Sequence, residues 1–122
     1  MNWLTVLIIA AVIVGIVLMK QAGQISAKDA LARLKGGALV IDVRTAGEFN
    51  SGHLDRAINI PLDEIDTAVP ARVKDKQQAL LLHCASGMRS GLAKSKLRGM
   101  GYTNAFNLGS FERARKIIAG AP

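Results

Sequence analysis

The sequence predicts an α/β domain with a mostly parallel sheet and helices on both faces, preceded by one wholly apolar helix. Three observations carry this. Residues 38–41 and 79–82 are continuous apolar runs, as in strands buried on both faces, rather than alternating ones. Segments with helical spacing and capping residues lie between such runs. The apolar residues are also unevenly placed, because residues 3–19 hold no charge and every charged side chain of the 122-residue chain falls from Lys20 onward.

About a hundred residues beyond that leader suffice for one small domain and not two. Half of the residues are hydrophobic and mean hydropathy is +0.26, which argues against wholesale disorder. The single cysteine excludes a disulfide scaffold and a Cys-rich zinc site. Net charge is +7, but the basic residues are dispersed and aromatics make up only 4%. A solvated basic surface near anionic lipid therefore fits better than a nucleic-acid interface.

The leader, WLTVLIIAAVIVGIVLM, has no amphipathic stripe. A helix apolar all round is a membrane span or the centre of a large core, and a domain this small does not surround one easily. Its 17 residues give about 26 Å, slightly less than a hydrocarbon core of about 30 Å. Trp3 and Lys20 would anchor the two ends. A cleaved signal peptide competes with this reading, but it lacks a basic leading segment and a small-x-small cleavage site. The expectation is a transmembrane anchor over residues 1–22, with residues 3–19 in the bilayer, and a domain over residues 23–122. Basic residues after the span place that domain in the cytoplasm, at a bacterial-type inner membrane, with export to the periplasm as the alternative.

The elements follow in order. Ser26 to Asp29 opens a helix that Gly36-Gly37 ends. Residues 38–41 form a buried strand leading into Asp42-Val43-Arg44. Thr45 and Glu48 have capping-box spacing, so a short helix covers residues 46–50. Residues 57–60 are a second strand, stopped by Pro61. Residues 62–72 are weakly helical and interrupted by Pro70. Residues 79–83 are a third strand. Residues 90–100 form a helix with Leu92, Ala93, Leu97 and Met100 on one face. A last strand lies around Ala105-Phe106, and residues 111–119 form a terminal helix.

In such sheets ligands sit beyond the carboxyl ends of the strands. There the sequence reads Cys84-Ala85-Ser86-Gly87-Met88-Arg89-Ser90. A helix start offers unpaired N–H groups and a positive dipole end. Gly87 frees the backbone to turn, Arg89 adds a fixed charge, and Ser90 is a natural N-cap. A thiol in that setting has a depressed pKa and reacts as thiolate. A lone Cys is more often a small buried hydrophobe, but the four residue types together favour chemistry. Asp42 and Arg44 read as structural charges that pair nearby. His53 reads as a packing residue in a turn. His83 reads as a core residue facing away from Cys84.

Cys-x-x-Gly-x-Arg-Ser resembles the active-site loop of single-domain rhodaneses, the thiosulfate sulfurtransferases. Asp42-Val43-Arg44, Glu48-Phe49, Gly52-His53-Leu54, Ala57-Ile58-Asn59-Ile60-Pro61, Leu97 and Gly101-Tyr102 are similar to that family's further signatures, in order. The resemblance covers about residues 25–119 and implies a parallel five-stranded sheet. It differs where many members carry Gly-Gly and then Trp, since this chain has Gly109-Ser110-Phe111 and Ala114. Four residues separate Cys84 from Arg89, as in rhodanese-like loops, against five in the related phosphatases.

The resemblance implies catalysis by Cys84, with Ala85, Ser86, Gly87, Met88, Arg89 and Ser90 as the substrate-binding loop and Asp42 and Arg44 in support. It implies transfer of sulfur from a small anionic donor such as thiosulfate to a thiol or cyanide, through a persulfide, without metal or organic cofactor. The rival reading is a membrane-tethered sulfur-relay or interaction module with little small-molecule turnover.

Overall fold

The computed structural model describes residues 1–121, with residues 20–22 described by backbone alone. The chain runs α1 (Trp3–Ala22), α2 (Ala27–Lys35), β1 (Leu39–Asp42), α3 (Ala46–Ser51), β2 (Ala57–Asn59), a 3-10 turn (Leu62–Glu64), α4 (Ile65–Arg72), β3 (Leu80–Cys84), α5 (Met88–Gly99), β4 (Ala105–Ser110) and α6 (Phe111–Ala119). The strands form one parallel sheet in the order β2-β1-β3-β4. Their carboxyl ends therefore share one edge, which gathers Asp42, Asn59, Cys84 and Ser110.

Alternation along each strand divides the interior into two cores. Ile41, Leu82 and Cys84 face α4 and α5, packing with Val69, Ala93 and Leu97. Val40, Leu81 and Leu108 face α2 and α6, packing with Ala30, Leu34, Ala114 and Ile117. Every residue of β3 is buried, as its unbroken apolar run requires.

Local chemistry sets the helix starts. Ser26 Oγ accepts from the Asp29 amide at 3.1 Å. Thr45 and Glu48 form the expected reciprocal capping box. Pro70 does not interrupt α4: the helix continues to Arg72, and the Val73 amide still donates to Val69 at 2.7 Å.

Two expectations are corrected. The sheet has four strands, not five. Between α1 and the Ser26 cap lie residues 23–25, which pair with β4 at one point only. Gln24 makes a single parallel bridge to Asn107, and the Ile25 amide donates to the Asn107 carbonyl at 2.9 Å.

The second correction concerns the leader. It is helical, but no helix among the described residues is long and apolar enough to cross a membrane. The uninterrupted apolar run stops at Met19, short of the hydrocarbon thickness. The expected transmembrane anchor, and the membrane localisation and sidedness built on it, therefore fall. Lys20, expected to anchor one end, lies outside the residues whose side chains are described.

Candidate active site

β3 carries Cys84 as its last residue, and the chain then turns into α5 through residues 85–87. The turn depends on Gly87, whose φ of 94° lies in the left-handed region that favours glycine. Gly87, not Ser90, occupies the N-cap position. This corrects the sequence expectation for Ser90. The helix begins two residues earlier than its apolar spacing implied, so Ser90 is inside its first turn and fully buried.

That inward position gives Ser90 a different task. Its single hydroxyl proton has two acceptors within reach, Cys84 Sγ at 3.5 Å and Asn107 Oδ1 at 2.7 Å. The Gly87 amide donates to Sγ at 3.0 Å. Burial opposes the Cys84 thiolate more strongly than any single contact favours it. The Ser90 hydroxyl and the amides of Ser90, Gly87 and Ser86 together outweigh that penalty, so the thiol sits below its ordinary value. The loop is an anion cradle with sulfur at its focus.

Asn107 is the site residue that the sequence reading missed. It is buried, its Nδ2 donates to the Gly87 carbonyl at 3.0 Å, and its Oδ1 also accepts from the Gly109 amide at 2.9 Å. A register shift in β4 leaves Leu108 as an extra residue, since Leu82 pairs with Asn107 and His83 with Gly109. Gly109 has φ 102°, and a Cβ there would meet Arg113 and Gln24 at 3.0 Å. The bulge fixes Asn107 against both ends of the loop. The signal available in the sequence was Asn107-Leu108-Gly109, an Asn that can bond its own backbone two residues on.

Arg89 projects from the first turn of α5 and forms a two-pronged pair with Glu48, at 2.7 and 3.0 Å. The Arg89 hydrogen bond, with the Thr45 amide, holds the Glu48 carboxyl down at about 2. Ala85 accepts from the Phe111 amide at 3.3 Å, and Ser86 bridges to Ser110. Met88 is 70% exposed beside the loop.

Asp42 and Arg44 lie at the same sheet edge but on the opposite face. They pair with each other, the Arg44 Nη2 reaching Asp42 Oδ2 at 2.7 Å. Arg44 also donates to the Gly52 carbonyl and stacks over Phe111. His83 faces that side, away from Cys84 as expected, edge-on to Phe111. Neither ring nitrogen has a hydrogen-bond partner among the described residues. Burial pushes the imidazole below its ordinary value despite the Asp42 charge 3.9 Å away. His53 stacks on Phe49 and bonds its carbonyl, the packing role expected of it.

Residues 26–115 match the profile of the rhodanese-like domain. The chain belongs to the rhodanese-like family. It is similar to thiosulfate sulfurtransferase PspE of Escherichia coli, 39% identical over 72 residues, covering 59% of this chain and 69% of that one. Among solved structures, a rhodanese with anions from E. coli is 36% identical with a TM-score of 0.61, covering 63% of this chain and 91% of the other. A human single-domain sulfurtransferase is 26% identical with a TM-score of 0.65, covering 77% and 96%. The tRNA uridine(34) hydroxylase of Erwinia tasmaniensis is 32% identical over 85 residues, but this rhodanese-like chain matches only 24% of its length. The family thus includes members of different activity, and homology to PspE supports sulfurtransferase for this one.

Proposed function

We propose that this chain is a thiosulfate-type sulfurtransferase in which Cys84, within the domain beginning near residue 23, carries the sulfur as a persulfide. The convergence of the Ser90 hydroxyl and the loop amides on Cys84 Sγ carries this reading.

The Cys84 thiolate attacks the outer sulfur of the donor. The new bond is Sγ to sulfane sulfur. With thiosulfate, the donor's S–S bond breaks and its electron pair leaves with sulfite. The terminal sulfur of the persulfide inherits the negative charge, and the amides of residues 85–90 stabilise it. A thiophilic acceptor, a thiolate or cyanide, then attacks that sulfur, and the electron pair of the S–S bond returns to Cys84. Such double displacement gives ping-pong kinetics. Ala85, Ser86 and Gly87 shape the ring around the sulfur, and Met88 and Arg89 border it. Arg89, tied to Glu48, holds the loop. Asp42 and Arg44 support it from the other face.

The test is intact mass after incubation with excess thiosulfate and desalting, beside Cys84→Ser. The expected result is a gain of one sulfur atom, reversed by cyanide and absent in the variant. No gain in a folded, reduced sample would overturn the thiosulfate reading.

A further inference from the structure

Ser90 has one proton to give, and the reacting sulfur is not the only place to put it. Asn107 Oδ1 lies 2.7 Å from its Oγ, a normal distance between two oxygens. Cys84 Sγ lies 3.5 Å away, within reach for the larger sulfur atom. The Gly109 carbonyl, also at 3.5 Å, is too far for an oxygen acceptor. The choice is therefore between Asn107 and the sulfur. A turn of the hydroxyl about its C–O bond exchanges them without moving a heavy atom.

Asn107 tolerates both positions of that proton. Its amide orientation is fixed, because Nδ2 donates to the Gly87 carbonyl at 3.0 Å and Oδ1 accepts from the Gly109 amide at 2.9 Å. Oδ1 keeps the Gly109 donor when Ser90 turns away, so no buried group is orphaned. Ser90 is 0% exposed and Asn107 4%, so bulk water does not compete for either. Gly91 allows the close approach, since a Cβ there would meet Asn107 Nδ2 at 3.3 Å.

Charge decides which acceptor wins. A charged acceptor bonds about twice as strongly as a neutral one, so a Cys84 thiolate draws the proton from Asn107. In the persulfide, Sγ is a neutral bridging sulfur and the charge sits on the outer atom, about 2.0 Å further on. Neutral Sγ is the weaker acceptor, and the proton returns to Asn107.

We propose that Asn107 is a positioning residue for the loaded state: it takes up the Ser90 hydrogen bond when Sγ loses its charge, and so shifts the balance between thiolate and persulfide toward the persulfide. The proposal rests on the persulfide reading above and concerns the poise of that same site. The transfer itself is unchanged. Thiolate and thiosulfate give persulfide and sulfite with charge conserved, and the Ser90 proton never leaves its oxygen.

The test is the loading equilibrium. The full chain is equilibrated with thiosulfate and sulfite at fixed ratios, above the alkylation midpoint of every variant, and the loaded fraction is read by intact mass. Asn107→Leu removes the acceptor that serves the persulfide. The loading constant should fall about two- to twelvefold, the worth of one neutral hydrogen bond. Ser90→Ala removes the donor that favours the thiolate, and the constant should rise by about two- to tenfold. In the Ser90→Ala background, Asn107→Leu should leave the constant where it is, because no proton remains to redirect. A constant unchanged by Asn107→Leu alone, or shifted equally in both backgrounds as a distorted loop would shift it, overturns the proposal. So does a constant that fails to rise in Ser90→Ala, which decides the matter even where Asn107→Leu does not fold. A wild-type chain that never gains sulfur overturns the sulfurtransferase reading, and the assignment of Asn107 with it.

Discussion

On the α5 face of the sheet, the buried polar groups converge on one sulfur and leave it to react; on the α6 face, Asp42 and Arg44 bind each other. Both clusters occupy the carboxyl edge of β1, β3 and β4. Around Cys84, amides and a hydroxyl donate toward an atom that has no countercharge of its own. Around Asp42, the Arg44 guanidinium takes both carboxylate oxygens, and Asn59 donates to the carbonyls of Asp42 and Arg44. The first arrangement leaves a nucleophile favoured as an anion. The second leaves a closed ion pair with nothing to exchange. Position at a strand end thus does not make a charged residue functional; the direction in which its neighbours donate does.

The sharpest way to break this contrast is Asp42→Ala. It strands a guanidinium that is 11% exposed. The expected loss is about 3–5 kcal/mol of unfolding free energy in urea. The pH midpoint of Cys84 alkylation should stay where it is while the protein remains folded. A shifted midpoint would mean that the two faces act as one unit.

Next in size is Asn107→Leu, which leaves the Gly87 carbonyl and the Gly109 amide without their partner. About 1–3 kcal/mol of stability should go. The midpoint of alkylation should fall, because the Ser90 proton is no longer drawn to Asn107 Oδ1 and is left to the sulfur. His83→Leu runs the other way. It removes two buried nitrogens that have no partners among the described residues and should stabilise by about 1 kcal/mol, with little effect on sulfur transfer. A large loss of activity would give His83 a role across the sheet.

Ser90→Ala removes one donor from the thiolate and keeps the fold. A hydrogen bond worth about 0.5–1.5 kcal/mol predicts alkylation at neutral pH slower by about two- to twelvefold. The thiol is lowered in the folded protein, so reactivity grows as pH rises through that lowered value. In the variant the rise should move to higher pH. The smallest effect belongs to Glu48→Gln. Glu48 is held at about 2 against an ordinary 4.5. The pair with Arg89 therefore contributes fully above pH 4.5 and fades as pH falls toward 2. Wild type and variant should converge in stability across that window, as read by denaturation at successive pH values.

The legible parts of the fold were those with local causes. The capping box at Thr45, the buried run of β3 and the span of α6 follow from residues adjacent in the chain. The alternation that turns His83 away from Cys84 was equally local. What sequence did not disclose depended on partners far along the chain. The missing fifth strand reflects the single bridge that residues 23–25 make to β4 before the chain turns into α2. Asn107 reaches the loop only because β4 carries a bulge. Ser90 could not be placed until the start of α5 was known, and a shift of two residues turned a cap into a buried donor. The leader misled for a simpler reason, because its apolar run is a few residues too short for the span it suggested.

The two ends of the domain are also tied together. Gln24 and Ile25 bond to Asn107, Arg113 donates to the carbonyls of Leu108 and Ile25, and Lys94 reaches Gly23. During synthesis, Cys84 leaves the ribosome while Asn107 is still inside the exit tunnel. The growing chain then holds the cysteine without the residue that fixes its loop, and a fragment ending at Gly101 should titrate as an ordinary thiol. Sulfur chemistry is thereby delayed until the last strand closes the domain, which spares a half-made chain from premature loading.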